Sequence, residues 1–342
     1  MKIAFIGGLG HHYLRGLLPP AQTPVPMEFA CAGDGHDDLA AKKWAEANHV
    51  SRWFDSPDAL YTQFEPDAVS VGSIYARNSE LTAQALEKNI PVVSDKPIAT
   101  TWQQLDRLKQ LTDDRARIVL TEFDFRCRPD FRAAQAAIAA GKIGQVILVS
   151  AQKSYRFGTR PKWYADRAQY GGTLLWIASH AIDATEWVTG RKIRRAVGHQ
   201  GNLSHPEYGT MEDHLSVLLE LENGGTGVVH ADFLRPAAAA THGDDRMRVA
   251  GSEGVVEVRD GRCKLITKDA GETDITESVV VRPIHLELLA ALRGEKSEWF
   301  STEQSMEMAE TLLSARDATD EGKWKTIQNS STAQDSPTAP TH

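Results

Sequence analysis

The sequence predicts an α/β protein of two domains. A Rossmann-type, doubly wound parallel sheet is expected over residues 1–123. An α+β domain with a large, mainly antiparallel open sheet is expected over 124–328, and a disordered tail is expected over 329–342. Three observations lead there. Short β-rich apolar runs alternate with helical patterns through the first third of the chain, as βαβ units do. Near Val146 the texture changes to alternating strands separated by turns. The first strand ends in the glycine cluster Gly7-Gly8-Leu9-Gly10, where a dinucleotide fold needs a tight turn and close backbone approach. At 342 residues the chain is also too long for one ordinary core, since domains run to about 150 residues.

The expected strands of the first domain are Lys2–Ile6, Met27–Ala32, Ala68–Gly72, Pro91–Ser94 and Arg117–Glu122. Ser56-Pro57 reads as a cap followed by proline at the first helical position. Thr101 and Gln104 have capping-box spacing. Asn78 is placed to cap a helix whose apolar face is Leu81, Ala85 and Leu86, and a further helix runs from Pro129 to a stop at Gly141. In the second domain the expected strands are Ile147–Gln152, Ser216–Glu222, Gly227–Phe233, Met247–Ala250 and Val255–Val258. Helices at Thr173–Thr189 and Ser301–Glu321 complete it. The tail from Asn329 is Ser, Thr, Pro and Ala with hardly any apolar residues, the composition of a disordered segment.

Composition narrows the function. Hydrophobic residues make up 41% and charged residues 25%, a globular balance. The net charge of −8 argues against a nucleic-acid partner, which needs a basic footprint. No apolar run approaches the roughly 18 residues of a membrane span. The opening residues enter a strand pattern without a signal-peptide cleavage region, and Cys31, Cys127 and Cys263 lack paired spacing. A reduced, cytoplasmic setting is the expectation.

The glycine cluster is an imperfect fingerprint. Counted from Gly8, the first two glycines fit and Tyr13 takes the third place; counted from Gly7, Leu9 and His12 depart. The following helix start would offer N–H groups to a pyrophosphate. Asp34 closes the second strand 24 positions beyond Gly10, close to the spacing of about 20 at which a carboxylate can hold the adenosine ribose. No Lys or Arg lies between Gly35 and Ala41, so NAD is expected over NADP, with His36 the one possible counter-charge. Ser73 and Asn78, beyond the strand Ala68–Gly72, join Gly7, Gly8, Leu9, Gly10, His11, His12 and Asp34 in the expected cofactor-binding set.

At Ser94-Asp95-Lys96-Pro97 the chain resembles the glucose–fructose oxidoreductase / inositol dehydrogenase / MocA-like family, whose members show Glu-Lys-Pro here. Supporting stretches are Pro66-Asp67-Ala68-Val69, Phe125-Arg126 with Pro129, Gly141-Lys142-Ile143-Gly144, and Gly171-Gly172 leading to His180 and Asp183. Glu212-Asp213 and Ala250-Gly251-Ser252-Glu253-Gly254 follow in order. The resemblance spans nearly the whole chain except the tail. It implies NAD(P)-dependent dehydrogenation and a second domain whose open sheet mediates homo-oligomerisation. Lys96 would be the active-site lysine and His180 the proton acceptor, with Asp95 and Lys96 also beside the cofactor. An ammonium there can stabilise alkoxide character, and a histidine titrates near operating pH.

One position departs. The family's dehydrogenases carry aspartate four residues before the histidine; here Trp176 stands there, and indole accepts no proton. Asp183 shares the helical face of His180 and is the expected substitute. Trp176 would instead supply an apolar wall or a sugar-stacking platform.

Residues 151–170 reverse the local charge with Lys153, Arg156, Arg160, Lys162 and Arg167 against Asp166. They also hold Tyr155, Phe157, Trp163, Tyr164 and Tyr170. Aromatic faces suit sugar rings and guanidinium forks suit carboxylates. Lys153, Tyr155, Arg160, Trp163, Tyr164, Arg167, Trp176 and His180 are the expected substrate contacts. A water-facing or subunit-facing loop is the alternative for any one of them. The cluster His242-Gly243-Asp244-Asp245-Arg246, with His230 and Asp232 nearby, fixes no ligand geometry, and no metal is assigned. The expected substrate is a sugar, cyclitol or sugar acid oxidised by hydride transfer. An NAD-retaining glycosidase working by transient oxidation and elimination, and a non-catalytic cofactor-binding sensor, are the alternatives.

Overall fold

The computed structural model describes residues 1–18, 26–36, 38–114, 116–295, 297 and 299–327; the expected tail at 329–342 lies outside them. Two sheets organise the chain. The first contains β1 (Lys2–Ile6), β2 (Glu28–Ala32), β3 (Trp53–Phe54), β4 (Ala68–Val71), β5 (Val92–Ser94) and β6 (Val119–Thr121). Their order is β3-β2-β1-β4-β5-β6, every neighbouring pair parallel. That is the doubly wound order in which ligands sit at the carboxyl ends of the strands, beside the β1/β4 switch point. Parallel strands are covered on both faces, which is why β4 and β5 are continuous buried runs.

Between these strands run α1 (Asp38–Ala47), α2 (Pro57–Gln63), α3 (Tyr75–Glu87) and α4 (Trp102–Thr112). The caps read from sequence form: Ser56 Oγ accepts from the Ala59 N–H and Thr101 Oγ1 from the Gln104 N–H. Asn78 does not cap. The helix begins at Tyr75, three residues earlier, and Asn78 turns inward. β3 escaped the sequence pattern because two residues carry no periodicity.

The expected helix after the glycine loop is only a five-residue 3₁₀ turn, Tyr13–Leu17. Pro19 and Pro20 follow in the sequence and cannot donate to an α-helical ladder. Helix α8 (Ile284–Leu292) covers that face instead: Leu14 and Leu17 share a buried cluster with Leu288, Leu289 and Leu292. A Cβ at Gly16 would collide with the His285 ring, so glycine lets the two segments meet. The α-helix start expected to offer N–H groups to a pyrophosphate is therefore replaced by a 3₁₀ turn.

The second sheet has nine strands: β7 (Val146–Arg156), β8 (Ile193–Gly201), β9 (His214–Leu221), β10 (Thr226–Arg235), β11 (Gly243–Gly251), β12 (Gly254–Arg259), β13 (Arg262–Thr267), β14 (Gly271–Asp274) and β15 (Lys325–Thr326). Their order is β14-β13-β12-β11-β7-β10-β9-β8-β15, antiparallel except where β7 meets β10. Helix α5 (Pro129–Ala139) ends before Gly141, whose φ of 72° is the left-handed stop. α6 (Arg167–Tyr170) is a single turn. α7 (Ser179–Thr189) is preceded by a π-helical segment, Leu174–Ala178, where one helix had been expected. α9 (Thr302–Glu321) packs along β8, and its Ser305 hydroxyl accepts from the Thr121 N–H on β6, tying the second half back to the first sheet. Among the described residues, no helix is long and apolar enough to cross a membrane.

Candidate active site

Four strand ends meet at one cleft. β1 delivers the glycine loop, β4 delivers Gly72-Ser73, β5 delivers Asp95-Lys96, and β6 delivers Glu122 and Asp124. The loop is packed too tightly for side chains. Gly7 takes φ 85°, and a Cβ at Gly10 would lie 2.8 Å from both Asp95 Oδ2 and the Gly72 Cα. The Gly10 N–H donates to Gly72 O and the His11 N–H to Asp95 Oδ2 at 2.8 Å. Such a glycine cradle beside a switch point fits a dinucleotide's pyrophosphate.

His12, expected to face the cofactor, turns away from it. Its ring is buried beneath the loop, with Nδ1 2.8 Å from Ser70 Oγ and Nε2 3.2 Å from Gly7 O. Burial pushes its pKa down to about 4, so it is a neutral strut at neutral pH. His180 is also lowered to about 4, chiefly by burial. Unfolded histidines titrate near 6.5, so these two contribute stability that is fully present above about 6.5 and is lost as pH falls towards about 4. The melting temperature is expected to drop through that window, more shallowly in His12→Gln; equal slopes in calorimetry would contradict the strut.

Asp34 is buried at the end of β2. Its Oδ1 accepts from the His36 N–H at 2.9 Å and its Oδ2 from the Ser73 hydroxyl, so two residues of the expected cofactor set touch. A cation does approach, from beyond the Gly35–Ala41 stretch: Arg77 Nη1 donates to the Asp34 carbonyl at 2.8 Å. Asp34→Ala is expected to weaken NAD by roughly tenfold and to narrow the NAD/NADP gap, since a 2′-phosphate would then meet Arg77 without an opposing carboxylate. Titrating both dinucleotides into the variant checks this; an unchanged ratio would count against Asp34 as the selector.

Asn78 is a bracket. Fully buried, it accepts from the Ser73 N–H and donates to the carbonyls of Asp95 and Pro97, each at 3.1–3.2 Å. It thus fixes the β4 and β5 ends, including the cis Lys96–Pro97 peptide, instead of facing the cofactor.

Lys96 is almost completely buried, and burial pulls its amine down to about 7 despite the Asp95 charge beside it. Its Nζ sits 3.0 Å from the centroid of the Trp176 ring. Burial works against the charge on Asp95, yet His11 and Lys96 hold its carboxyl below the usual range. Glu122 moves the other way. Burial and the Asp95 charge push it well above the carboxylate range, and its Oε1 accepts from the Tyr13 N–H at 2.9 Å.

Trp176 lies on the π-helical segment, a feature that often marks functional sites. It stacks on Tyr75 at 4.2 Å and on His11 at 5.1 Å. Tyr75 hydrogen-bonds Tyr164 through the two hydroxyls at 2.7 Å, and Trp163 meets Tyr75 edge-on. Trp163, Tyr164, Tyr170 and Trp176 gather around an unforeseen centre, Tyr75, whereas Tyr155 and Phe157 stack instead on His242 and His205. His180, on the first turn of α7, places Nδ1 3.1 Å from Asp124 Oδ1.

Asp183, the expected partner of His180, is occupied elsewhere. Arg126 grips both its oxygens at 2.5 and 3.1 Å, a buried bidentate pair. Arg167 is likewise spoken for by Glu212 and by Asp320 at 3.0 Å, so its guanidinium braces α6 instead of lining the cleft. Lys153 is buried with Nζ 3.0 Å from Asp245, 4.3 Å from the Phe125 ring and 5.0 Å from that of Tyr155. Arg160 lies over Phe233 at 4.9 Å, and its buried Nε makes no hydrogen bond among the described residues. The same holds for Trp176 Nε1, Trp163 Nε1, Asp95 Oδ1, Glu122 Oε2, Asp124 Oδ1 and His180 Nδ1. Orphaned buried polar atoms are rare, and their gathering around one cleft fits a polar ligand there. Asp244 pairs with Arg235 and Arg246, and Asp245 with Arg128 and Lys153, so these acids are engaged in ion pairs.

Glu122, Asp124 and Tyr75 went unread in the sequence. Each stands within a few residues of the carboxyl end of a parallel strand, and that position was the signal that could have found them.

Comparison with known proteins agrees with this layout. Residues 1–123 match the profile described as "Oxidoreductase family, NAD-binding Rossmann fold", and residues 131–257 match the GFO/IDH/MocA C-terminal domain. The chain is 28% identical over 220 residues to the D-glucoside 3-dehydrogenase of Escherichia coli, covering 59% of this chain and 62% of that one. It is 28% identical over 230 residues to inositol 2-dehydrogenase 2 of Saccharopolyspora erythraea, covering 66% and 64%. The matched stretch thus spans just under two thirds of each of these relatives. A solved structure from Thermotoga maritima superposes with a TM-score of 0.88 at 29% identity, covering 96% of this chain and all of that one.

Proposed function

Because the chain belongs to the glucose–fructose oxidoreductase / inositol dehydrogenase / MocA family of oxidoreductases, we propose that it is an NAD-dependent dehydrogenase acting on a CH–OH group of a sugar, cyclitol or sugar acid. The observation that carries this is that Lys96 and His180 act on each other electrostatically, both buried and both shifted toward neutral forms by that burial. NAD, when bound, supplies the hydride acceptor. Gly7, Gly8, Leu9, Gly10, Asp34 and Ser73 are the residues that would hold it.

The protein's own groups do the rest. Lys96, protonated, donates to the substrate oxygen and stabilises the negative charge that grows there. His180, neutral because burial and the Lys96 and Lys153 charges oppose its protonation, takes the hydroxyl proton. Tyr75, Trp163, Tyr164 and Trp176 offer aromatic faces to a ring's C–H surface, and Arg160 and Lys153 suit a carboxylate or clustered hydroxyls. A carbohydrate-like substrate is further supported by the names of the two dehydrogenases compared above. A second copy of the chain is proposed to cover the outer face of the large sheet, where Ile147, Leu148, Leu218 and Leu234 are exposed.

The test is to incubate the protein and NAD with glucosides, inositols and sugar acids while following NADH absorbance and sugar products. NADH formation with at least one of these classes is expected. Release of free sugar without net NADH would reject dehydrogenation as the overall reaction.

A further inference from the structure

Histidine acts as a directed base only when something fixes which ring nitrogen carries the proton. On the helix of His180 nothing does so. The residue one turn before it is Trp176, whose N–H can only donate. The acid one turn after it, Asp183, is held on both oxygens by Arg126. Among the described residues, the carboxylate against the ring comes from another part of the chain: Asp124, in the 3₁₀ turn that follows β6, with Oδ1 3.1 Å from His180 Nδ1.

We propose that Asp124 is the positioning residue of His180, a carboxylate supplied from the first sheet's edge in place of the one that the histidine's own helix lacks. This rests on His180 being the proton acceptor proposed above. Three features of the segment 123–126 suit it to the task. Phe125 lies against the imidazole at 5.3 Å between ring centres, and Phe123 meets it edge-on at 6.2 Å. The next residue but one, Arg126, makes the ion pair with Asp183, which anchors the turn to α7 itself. Asp124 stays ionised although burial opposes it, because His180, Lys153 and Arg128 hold its carboxyl well below the usual range. The two atoms stand at ion-pair distance without an aligned hydrogen bond, so it is the Asp124 charge, 3.1 Å away, that favours the proton on Nδ1 and leaves Nε2 as the acceptor.

The other charged or titratable groups acting on the imidazole are Lys96 from the β5 end and Lys153 from β7; both oppose its protonation, and Asp124 favours it. Lys153 in turn faces Tyr155 and Asp245, and Arg128 faces Asp130 and Asp245. Removing the Asp124 charge must therefore make His180 harder to protonate and a weaker base.

The experiment uses the full chain with nitrogen-labelled histidine and the variants Asp124→Asn and Asp124→Glu. Nitrogen NMR of the cofactor-free protein reads the His180 tautomer and its titration; kinetics with NAD and the best substrate of the panel read kcat and KM. In wild type the proton is expected on Nδ1. In Asp124→Asn the titration midpoint should fall, the Nδ1–H preference should weaken, and kcat should drop roughly a hundredfold or more with KM little changed. Asp124→Glu should recover part of both signals. An unaltered tautomer and midpoint in a folded Asp124→Asn protein would overturn the proposal, and so would a kinetic loss without them. A shifted titration with undiminished turnover would overturn it through His180's assumed role as base, leaving the pairing itself intact.

Discussion

Lys96→Met is expected to lower kcat/KM by about 10²–10³-fold while NAD affinity changes by only a few fold. Methionine is close to lysine in length and apolar volume, so the contact with the Trp176 ring can survive the exchange. What is lost is the donor aimed at the substrate oxygen, which is worth most where water is excluded, and Lys96 is almost entirely shielded. Asp95 keeps its His11 N–H partner, so the carboxylate is not left wholly unpaired. Wild-type activity should also decline above about pH 7, because burial draws the amine down to about 7 and the neutral amine is a weaker stabiliser of an alkoxide. Steady-state kinetics beside a cofactor titration reads both effects. Undiminished turnover in the folded variant would remove Lys96 from the reaction.

His180→Asn is expected to cost about 10²–10⁴-fold in kcat, the usual contribution of a positioned base. Asparagine can still face Asp124, yet it has no basic nitrogen to accept the hydroxyl proton. The pH profile is the sharper readout. In wild type the neutral imidazole must be present, so kcat/KM should rise as pH climbs through about 4 and remain high until the Lys96 limb begins. That acidic limb should vanish in His180→Asn, while the alkaline limb from Lys96 remains. A variant that keeps the acidic limb would assign it to another group.

Much of the architecture could be read from patterns. Alternating apolar runs located β1, β4, β5, β9 and β10, and the Ser56 and Thr101 caps located their helices, because these signals are local. The glycine loop and Lys96 were legible because a strand end is a local feature too. What failed to show was set by tertiary contacts. The 3₁₀ turn at Tyr13–Leu17 depends on α8 arriving from far along the chain. Asn78 has the composition of a cap, and only the meeting of the β4 and β5 ends makes it a bracket. Arg167 and Asp183 have the chemistry of site residues, but Glu212, Asp320 and Arg126, remote in sequence, claim them. Asp124 was passed over for the same reason: its partner lies on another element.

Calorimetric titration of NAD into the purified chain tests the central claim most directly, since the reaction assigned to Lys96 and His180 presupposes a dinucleotide in the glycine cradle. One NAD per chain is predicted, with NADP weaker and with binding sharply reduced in Gly10→Ala, whose Cβ would press against Gly72 and Asp95. A folded protein that takes up neither dinucleotide would contradict the account.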